Sequence, residues 1–258
     1  FSFLTNPGHP YIKAVDSFTH LNGRHNMEPH MWINWVWALF YHREYKAALR
    51  EMHYLTDKVL KARKKAVEMG EVDLEAPRRP LIDHYLSLYQ EGKLTLKEVH
   101  YEINAIILGG HDTTSTTLTW IFWSLACLPE FQQKCFEEID AIFGGDRERN
   151  CTPEDIKSME YTDRFIKETL RMFAPVPLVE RELQSDFKMG DAILPRGSEI
   201  FINAFVIHHN EEVYPDSWRF DPDRFLPDAV AARHPFDYIP FAAGIRNCLG
   251  QKFAMQEI

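Results

Sequence analysis

From Tyr45 to Val67, apolar residues recur at Leu49, Met52, Leu55, Val59 and Leu60, a spacing of three and four that predicts an amphipathic helix. Residues 10–65 as a whole read as helical in several pieces. The aromatic run Met31 to Tyr41 between them is too short to span a bilayer. It reads first as a packed aromatic piece of the core, and second as a patch that dips into an interface or lines a substrate entrance. Residues 70–80, with Pro77 and Pro80, read as a charged, proline-rich loop. Thr95 to Leu128 then predicts one long helix, with Thr95 as its cap, Glu98 as the capping-box partner and Pro129 as its stop. At 1.5 Å per residue it would reach about 50 Å. A second helix over 129–144 ends at Gly144-Gly145, and a third over 159–173 ends before Pro175 and Pro177. Short strands follow to Asn203, with Gly190-Asp191 as a hairpin turn. Residues 210–236, rich in Pro and Asp, predict coil. The pattern gives a mainly α fold with a small β region.

Composition narrows the function classes. At 258 residues and 45% hydrophobic content, the chain can bury a substantial core as one large domain or two small ones. The formal net charge of −9, with no basic tract beyond Lys61 to Lys65, argues against a nucleic-acid binder. The four cysteines, Cys127, Cys135, Cys151 and Cys248, form no Cys-x-x-Cys pair, so neither a zinc ribbon nor a disulfide framework is suggested, and a reducing compartment fits best. No signal peptide or membrane-spanning run is visible. The chain begins at Phe1 and stops at Ile258, inside a predicted starting helix, and so reads as an internal fragment.

Three stretches carry candidate chemistry. Pro240-Phe241-Ala-Ala-Gly244-Ile-Arg246-Asn-Cys248-Leu-Gly250 sets one cysteine in a glycine-bracketed loop just before a helix-forming run. A helix N-terminus, a guanidinium and free amide groups stabilise a thiolate, the form that binds metal. A buried free cysteine is the alternative. Gly109-Gly110-His111-Asp112-Thr113 lies midway along the long helix, where each glycine costs about 1 kcal/mol against alanine. That penalty predicts a local kink or widening, or a close helix crossing. Glu168 and Arg171 stand at i and i+3 on one helix.

The spacing Phe-x-x-Gly-x-Arg-x-Cys-x-Gly closely resembles the haem-ligating loop of cytochromes P450, a family the other stretches also match in order. The fold implied is the C-terminal portion of that family's domain, without its N-terminal half and extreme C-terminus. It comprises 1–94 as a helical substrate-access region, 95–128 as the oxygen-binding helix and 159–173 as the Glu-x-x-Arg helix. Strands and coil over 174–240 and the haem-thiolate loop over 241–258 complete it. The resemblance implies Cys248 as axial thiolate of haem b, whose electron donation favours O–O cleavage. Gly244 would permit the bend, Gly250 a close approach of the ring, and Phe241 would shield the sulfur. Arg246 would pair with one haem propionate and Arg181 with the other. Asp112 would feed protons through water to the oxygen-binding position at Thr113, with His111 turned away from the haem. Glu168, Arg171 and Arg224 would form a supporting network in which two arginines hold one carboxylate bidentately.

Gly-His-Asp-Thr-Thr over 110–114, Arg246 to Ala254, and the His208-His209-Asn210…Tyr214-Pro215 stretch resemble family 4 within the superfamily, whose members typically hydroxylate fatty acids or similar lipids at or near the chain end. Many of those carry Glu where this chain has Gly109, so a covalent haem link is not expected. The implied function is a haem-thiolate monooxygenase that inserts one oxygen atom from O₂ into a C–H bond of a hydrophobic substrate. Electrons would come from an NADPH-dependent cytochrome P450 reductase, with the parent protein on the cytosolic face of the endoplasmic reticulum membrane. The alternatives are a non-catalytic haem-binding fragment and an isomerase of the same family that rearranges peroxides. The 258 residues alone are expected to be inactive.

Overall fold

The computed structural model describes residues 8–74, 76, 79–146 and 148–258. Part of the predicted proline-rich loop (Glu75, Pro77 and Arg78) and the first seven residues of the 1–94 region lie outside them. The chain divides into two compact units, one ending at Asp112 and the other beginning at Thr113.

The first unit opens with helix α1 (Pro10–Met27), started by a proline at its first position and capped by the His9 side chain on the Tyr11 amide. A 3₁₀ turn (Pro29–Trp32) and short α2 (Asn34–Phe40) lead into α3 (His42–Glu68), the amphipathic helix expected from its periodicity. Tyr11, Ala14 and Val15 of α1 pack against Ala48, Met52 and Leu55 of α3. Helix α4 (Leu81–Gln90) contributes Leu86 to a second cluster with Leu60, and with Val99 and Ile103 of α5 (Leu96–Cys127). Asp83 at the start of α4 is buried and accepts two 2.6 Å bonds from Arg63 of α3.

The aromatic run does not form core in this unit. Met31 is fully buried, but Trp32, Ile33, Trp35, Leu39 and Phe40 are exposed. The reason lies in α2 itself: seven residues with apolar side chains all round offer only one side for packing. Trp37 takes that side, meeting the rings of His25 and Tyr45 at 4.8 and 5.4 Å between centroids.

Helix α5 starts on the expected capping box, the Thr95 hydroxyl accepting from the Glu98 amide while the Glu98 carboxylate accepts from the Thr95 amide. It is α-helical from Leu96 to Cys127, with no π-helical widening in the glycine stretch. A penalty of about 2 kcal/mol from two glycines is outweighed by the burial of Val99, Ile103 and Ile121 along the helix. Within the threonine run, the Thr117 and Thr119 hydroxyls donate back to the carbonyls of Thr113 and Ser115 at 2.9 and 2.8 Å.

In the second unit, α6 (Pro129–Phe143) ends at Gly144 in the left-handed region. Short α7 (Pro153–Ser158) follows on a Thr152–Asp155 capping box, and then α8 (Glu160–Met172). Ile121, Cys135 and Phe165 form the cluster between α5, α6 and α8. The start of α8 is held by Glu138 of α6, whose carboxylate accepts from the amides of Tyr161 and Thr162 at 2.6 and 2.8 Å. The β region consists of two antiparallel pairs: β1 (Leu178–Glu182) with β4 (Glu199–Asn203), and β2 (Phe187–Met189) with β3 (Ala192–Leu194) across the Gly190 turn. Helix α9 (Ala204–His208), a 3₁₀ turn (Pro222–Phe225), α10 (Pro227–Ala231), two further 3₁₀ turns and α11 (Gln251–Glu257) complete the chain.

Candidate functional site

Glu168 and Arg171 lie on the strongly amphipathic α8, one turn apart, and both are fully buried. Arg171 Nε and Nη2 donate to the two carboxylate oxygens at 2.7 and 2.8 Å, a bidentate pair. Its remaining donors reach the carbonyl oxygens of His208 and Ser217 at 2.7 and 2.8 Å, and its guanidinium stands over the Tyr214 ring at 5.0 Å. One buried side chain thereby ties α8 to α9 and to the coil after it. Glu168 Oε1 also accepts from the Asp221 amide at 2.8 Å. Burial pushes the Glu168 carboxyl upward from its ordinary value, while the Arg171 bonds, the Asp221 amide and the Arg224 charge pull the other way.

Arg224 joins the expected network as an ion pair to Glu168, not as a second hydrogen-bonded arginine. Its Nε stands 3.6 Å from Glu168 Oε1, beyond hydrogen-bond reach, and its Nη2 donates to the carbonyls of Pro215 and Asp216 at 2.8 Å each. Glu168 is held bidentately by Arg171 alone, because the third partner at its oxygen is a backbone amide. Arg224 adds charge nearby and staples the 215–216 coil.

The chain then passes from this buried cluster into the cysteine loop. Tyr214 donates its hydroxyl to the Asp237 carbonyl, and Tyr238 donates to the Lys167 carbonyl of α8 at 3.0 Å. Buried His208 accepts the Ile239 amide hydrogen through Nε2 at 2.9 Å. His208 and Tyr214 stand in a stretch that resembles family 4, but the pattern assigned none of these three side chains a structural role. A histidine or tyrosine buried by tertiary packing has no local signature.

The loop itself is closed by one backbone bond, from the Cys248 amide to the Phe241 carbonyl at 2.9 Å. Gly244 turns it with φ of +79°, a conformation that favours glycine. Cys248 is an exposed free thiol, not the buried cysteine of the alternative reading. A Cβ at residue 250 would sit 3.8 Å from Cys248 Sγ, so glycine there leaves one flank of the sulfur open. Everything from Gly244 to Phe253 is exposed, including the apolar Ile245, Leu249 and Phe253. Phe241 is half-buried and Arg246 exposed. Arg181, half-buried on β1, donates to the Glu180 carbonyl, and the coordinates place it in no ion pair among the described residues. Asp112 and Thr113 are half-buried on adjacent positions of α5, one closing the first unit and the other opening the second.

Comparison with known proteins gives this geometry its context. The family model for cytochrome P450 matches residues 1–258. The chain is 34% identical over 266 residues to mouse cytochrome P450 4V2, covering 98% of this chain and 50% of that protein. It is 40% identical over 181 residues to cytochrome P450 4c3 of Drosophila melanogaster, covering 70% of this chain and 34% of that one. It is also 34% identical over 257 residues to the human ultra-long-chain fatty acid omega-hydroxylase, covering 96% and 48%. Among solved structures, retinoic acid bound cyanobacterial CYP120A1 matches with a TM-score of 0.70 at 26% identity, over 83% of this chain and 47% of that one. The chain thus spans about half the length of the full-coverage relatives. With a mainly helical fold, a family match over its whole length and relatives named as family 4 enzymes, this chain belongs to the cytochrome P450 family.

Proposed function

We propose that the protein is a haem-thiolate monooxygenase that inserts one oxygen atom from O₂ into a C–H bond of a hydrophobic substrate. The observation that carries this reading is the Cys248 loop, which holds an exposed thiol on a closed backbone turn with exposed apolar side chains around it. A soluble protein gains nothing from Ile245 at 100% and Leu249 at 82% exposure beside a free thiol. A flat apolar macrocycle with an iron to accept the sulfur fits both features. When bound, haem would supply the oxygen chemistry, and the protein supplies ligand, protons and orientation.

In this reading Cys248 would hold the haem iron through its thiolate, Gly244 and Gly250 would shape its loop, and Phe241 would pack beside the sulfur. Arg246 and Arg181, neither in an ion pair among the described residues, are the propionate partners. Asp112 holds and passes protons and Thr113 donates to oxygen at the reacting centre. Glu168, Arg171 and Arg224 keep the loop's root in place. Gly109, with no side chain, offers no carboxylate to esterify the haem, so the group is held non-covalently.

A fatty acid or related lipid is the substrate class, supported by the human relative named as an ultra-long-chain fatty acid omega-hydroxylase. The electron donor is an NADPH-dependent reductase. No helix among the described residues is long and apolar enough to cross a membrane. Surface association with the endoplasmic reticulum membrane is supported instead by Trp32, Ile33, Trp35, Leu39 and Phe40, which present contiguous exposed apolar area around α2. The deciding measurement is the optical spectrum of the reduced, CO-bound, haem-loaded protein. A strongly red-shifted Soret band is expected. A band at the position of neutral ligation would sink the assignment of Cys248. Product analysis with reductase and NADPH then separates oxygenation of a lipid from rearrangement of a peroxide.

A further inference from the structure

His208 is a buried titratable group that nothing in the proposed chemistry uses. It sits at the end of α9 with no exposed surface, and its ring stacks obliquely on Tyr238 at 5.4 Å between centroids. Its two ends face two different parts of the molecule. The backbone carbonyl accepts from Arg171 Nη1, inside the Glu168–Arg171 cluster. The ring Nε2 accepts from the Ile239 amide at 2.9 Å. Because Nε2 is the acceptor, the proton of the neutral ring is on Nδ1, which finds no partner among the described residues. Leaving a buried N–H unpaired costs about 1–3 kcal/mol, a penalty the fold tolerates to keep Nε2 free as an acceptor.

Ile239 lies two residues before Phe241, whose carbonyl accepts the Cys248 amide. An unbroken series of contacts therefore leads from Arg171 through His208, the Ile239 amide and the Phe241 carbonyl to the cysteine. We propose that His208 is a positioning residue for the Cys248 loop: its neutral imidazole fixes the point at which the chain leaves the buried cluster and enters the loop. The proposal rests on the reading of Cys248 as the haem ligand.

The device is sensitive to acid. Protonation of Nε2 would turn the acceptor into a donor facing the Ile239 N–H, and the link would break. The charged and titratable groups around the ring are Arg171 and, through it, Glu168 from α8, with His209, Tyr214 and Tyr238 from the coil. Burial pushes His208 down to about 4, and the charges of Arg171 and His209 push the same way, against an opposing hydrogen-bond contribution involving Arg171. A base depressed in the folded protein contributes its stability in full above its ordinary value of about 6.5. That contribution is lost as pH falls from about 6.5 toward 4.

Two variants of the haem-loaded protein test this. His208→Leu keeps the bulk and removes the acceptor. Amide exchange at Ile239 and Phe241 is expected to accelerate about 10- to 100-fold, and the red-shifted reduced-CO band to weaken already at neutral pH. His208→Gln places a non-titrating oxygen near the position of Nε2. It is expected to restore both readouts at pH 7 and to abolish the acid-dependent loss between pH 6.5 and 4. Unchanged exchange at Ile239 in His208→Leu would overturn the proposal. If that variant does not fold, an acid transition in His208→Gln identical to that of the original protein would overturn it equally. A parent protein with no red-shifted band defeats the reading of Cys248, whereas the exchange comparison still judges His208, so the two failures are distinguishable.

Discussion

The Glu168–Arg171 cluster and the Cys248 loop are neighbours in the second unit and opposites in construction. In the cluster, both charges are fully buried and Arg171 is bound through every donor nitrogen. In the loop, a single backbone bond spans Phe241 to Cys248, and the segment from Gly244 to Phe253 is open to solvent. The difference separates what the chain finishes by itself from what it leaves for another group to finish. A buried ion pair is weak evidence for stability, since apolar residues of the same volume often serve as well. Its use here is directional: Arg171 reaches the carbonyls of His208 and Ser217 and fixes where two coil segments cross. Apolar packing has no such directionality.

Breaking the closed side should therefore be costly. Glu168→Ala strands Arg171 with no counter-charge and removes the acceptor of the Asp221 amide. The expected loss is about 3–5 kcal/mol of folding stability, read from urea denaturation, together with failure to incorporate haem. A stable Glu168→Ala protein with normal haem content would show that the cluster and the loop are independent.

A smaller effect is expected at the hinge of the loop. Gly244 at φ of +79° has no neighbouring atom within 4 Å of an added Cβ, so Gly244→Ala is opposed by backbone conformation alone and not by a clash. The left-handed region costs a non-glycine residue about 1–2 kcal/mol. Ala242 already carries a φ of 57° in the same turn, so the loop tolerates one such residue, and a second should raise its flexibility before it unfolds the protein. Stability lowered by about 1 kcal/mol with a weakened thiolate band is the expected result. No change in either would mean that the turn relaxes to another conformation.

How much of this was legible in the sequence follows the range of the forces involved. The amphipathic period of α3, the capping box of α5 and the Gly190 hairpin are local, and each is where the pattern placed it. The cysteine loop was legible for a different reason, since its glycines, arginine and cysteine are all set within ten residues. What the pattern missed depends on distant partners. It paired Arg224 with Glu168, which holds as an ion pair at 3.6 Å, but could not show that the third hydrogen bond comes from the Asp221 amide at 2.8 Å. It packed the aromatic run of residues 31–41 into the core, because apolar content does not say whether a neighbouring surface is present to receive it. The stretch holding His208 and Tyr214 resembles the family, but the roles of these residues and of Tyr238 exist only once α8, α9 and the coil are brought together.

The smallest stability effect is expected at the residue that matters most to function. Cys248→Ser exchanges one exposed atom, breaks no side-chain hydrogen bond recorded among the described residues and leaves the Cys248-to-Phe241 backbone bond available. Exposed substitutions of this kind change stability by less than about 0.5 kcal/mol, so the denaturation midpoint should not move. The reduced-CO spectrum should nevertheless lose its red-shifted band completely, because an alcohol oxygen does not supply the thiolate's electron donation. This pairing is the inverse of Glu168→Ala, where the spectrum is lost because the fold is lost. Should Cys248→Ser instead lower the folding stability by several kcal/mol in the haem-free protein, the sulfur would be doing packing work, and the contrast between a finished cluster and an unfinished loop would have to be abandoned.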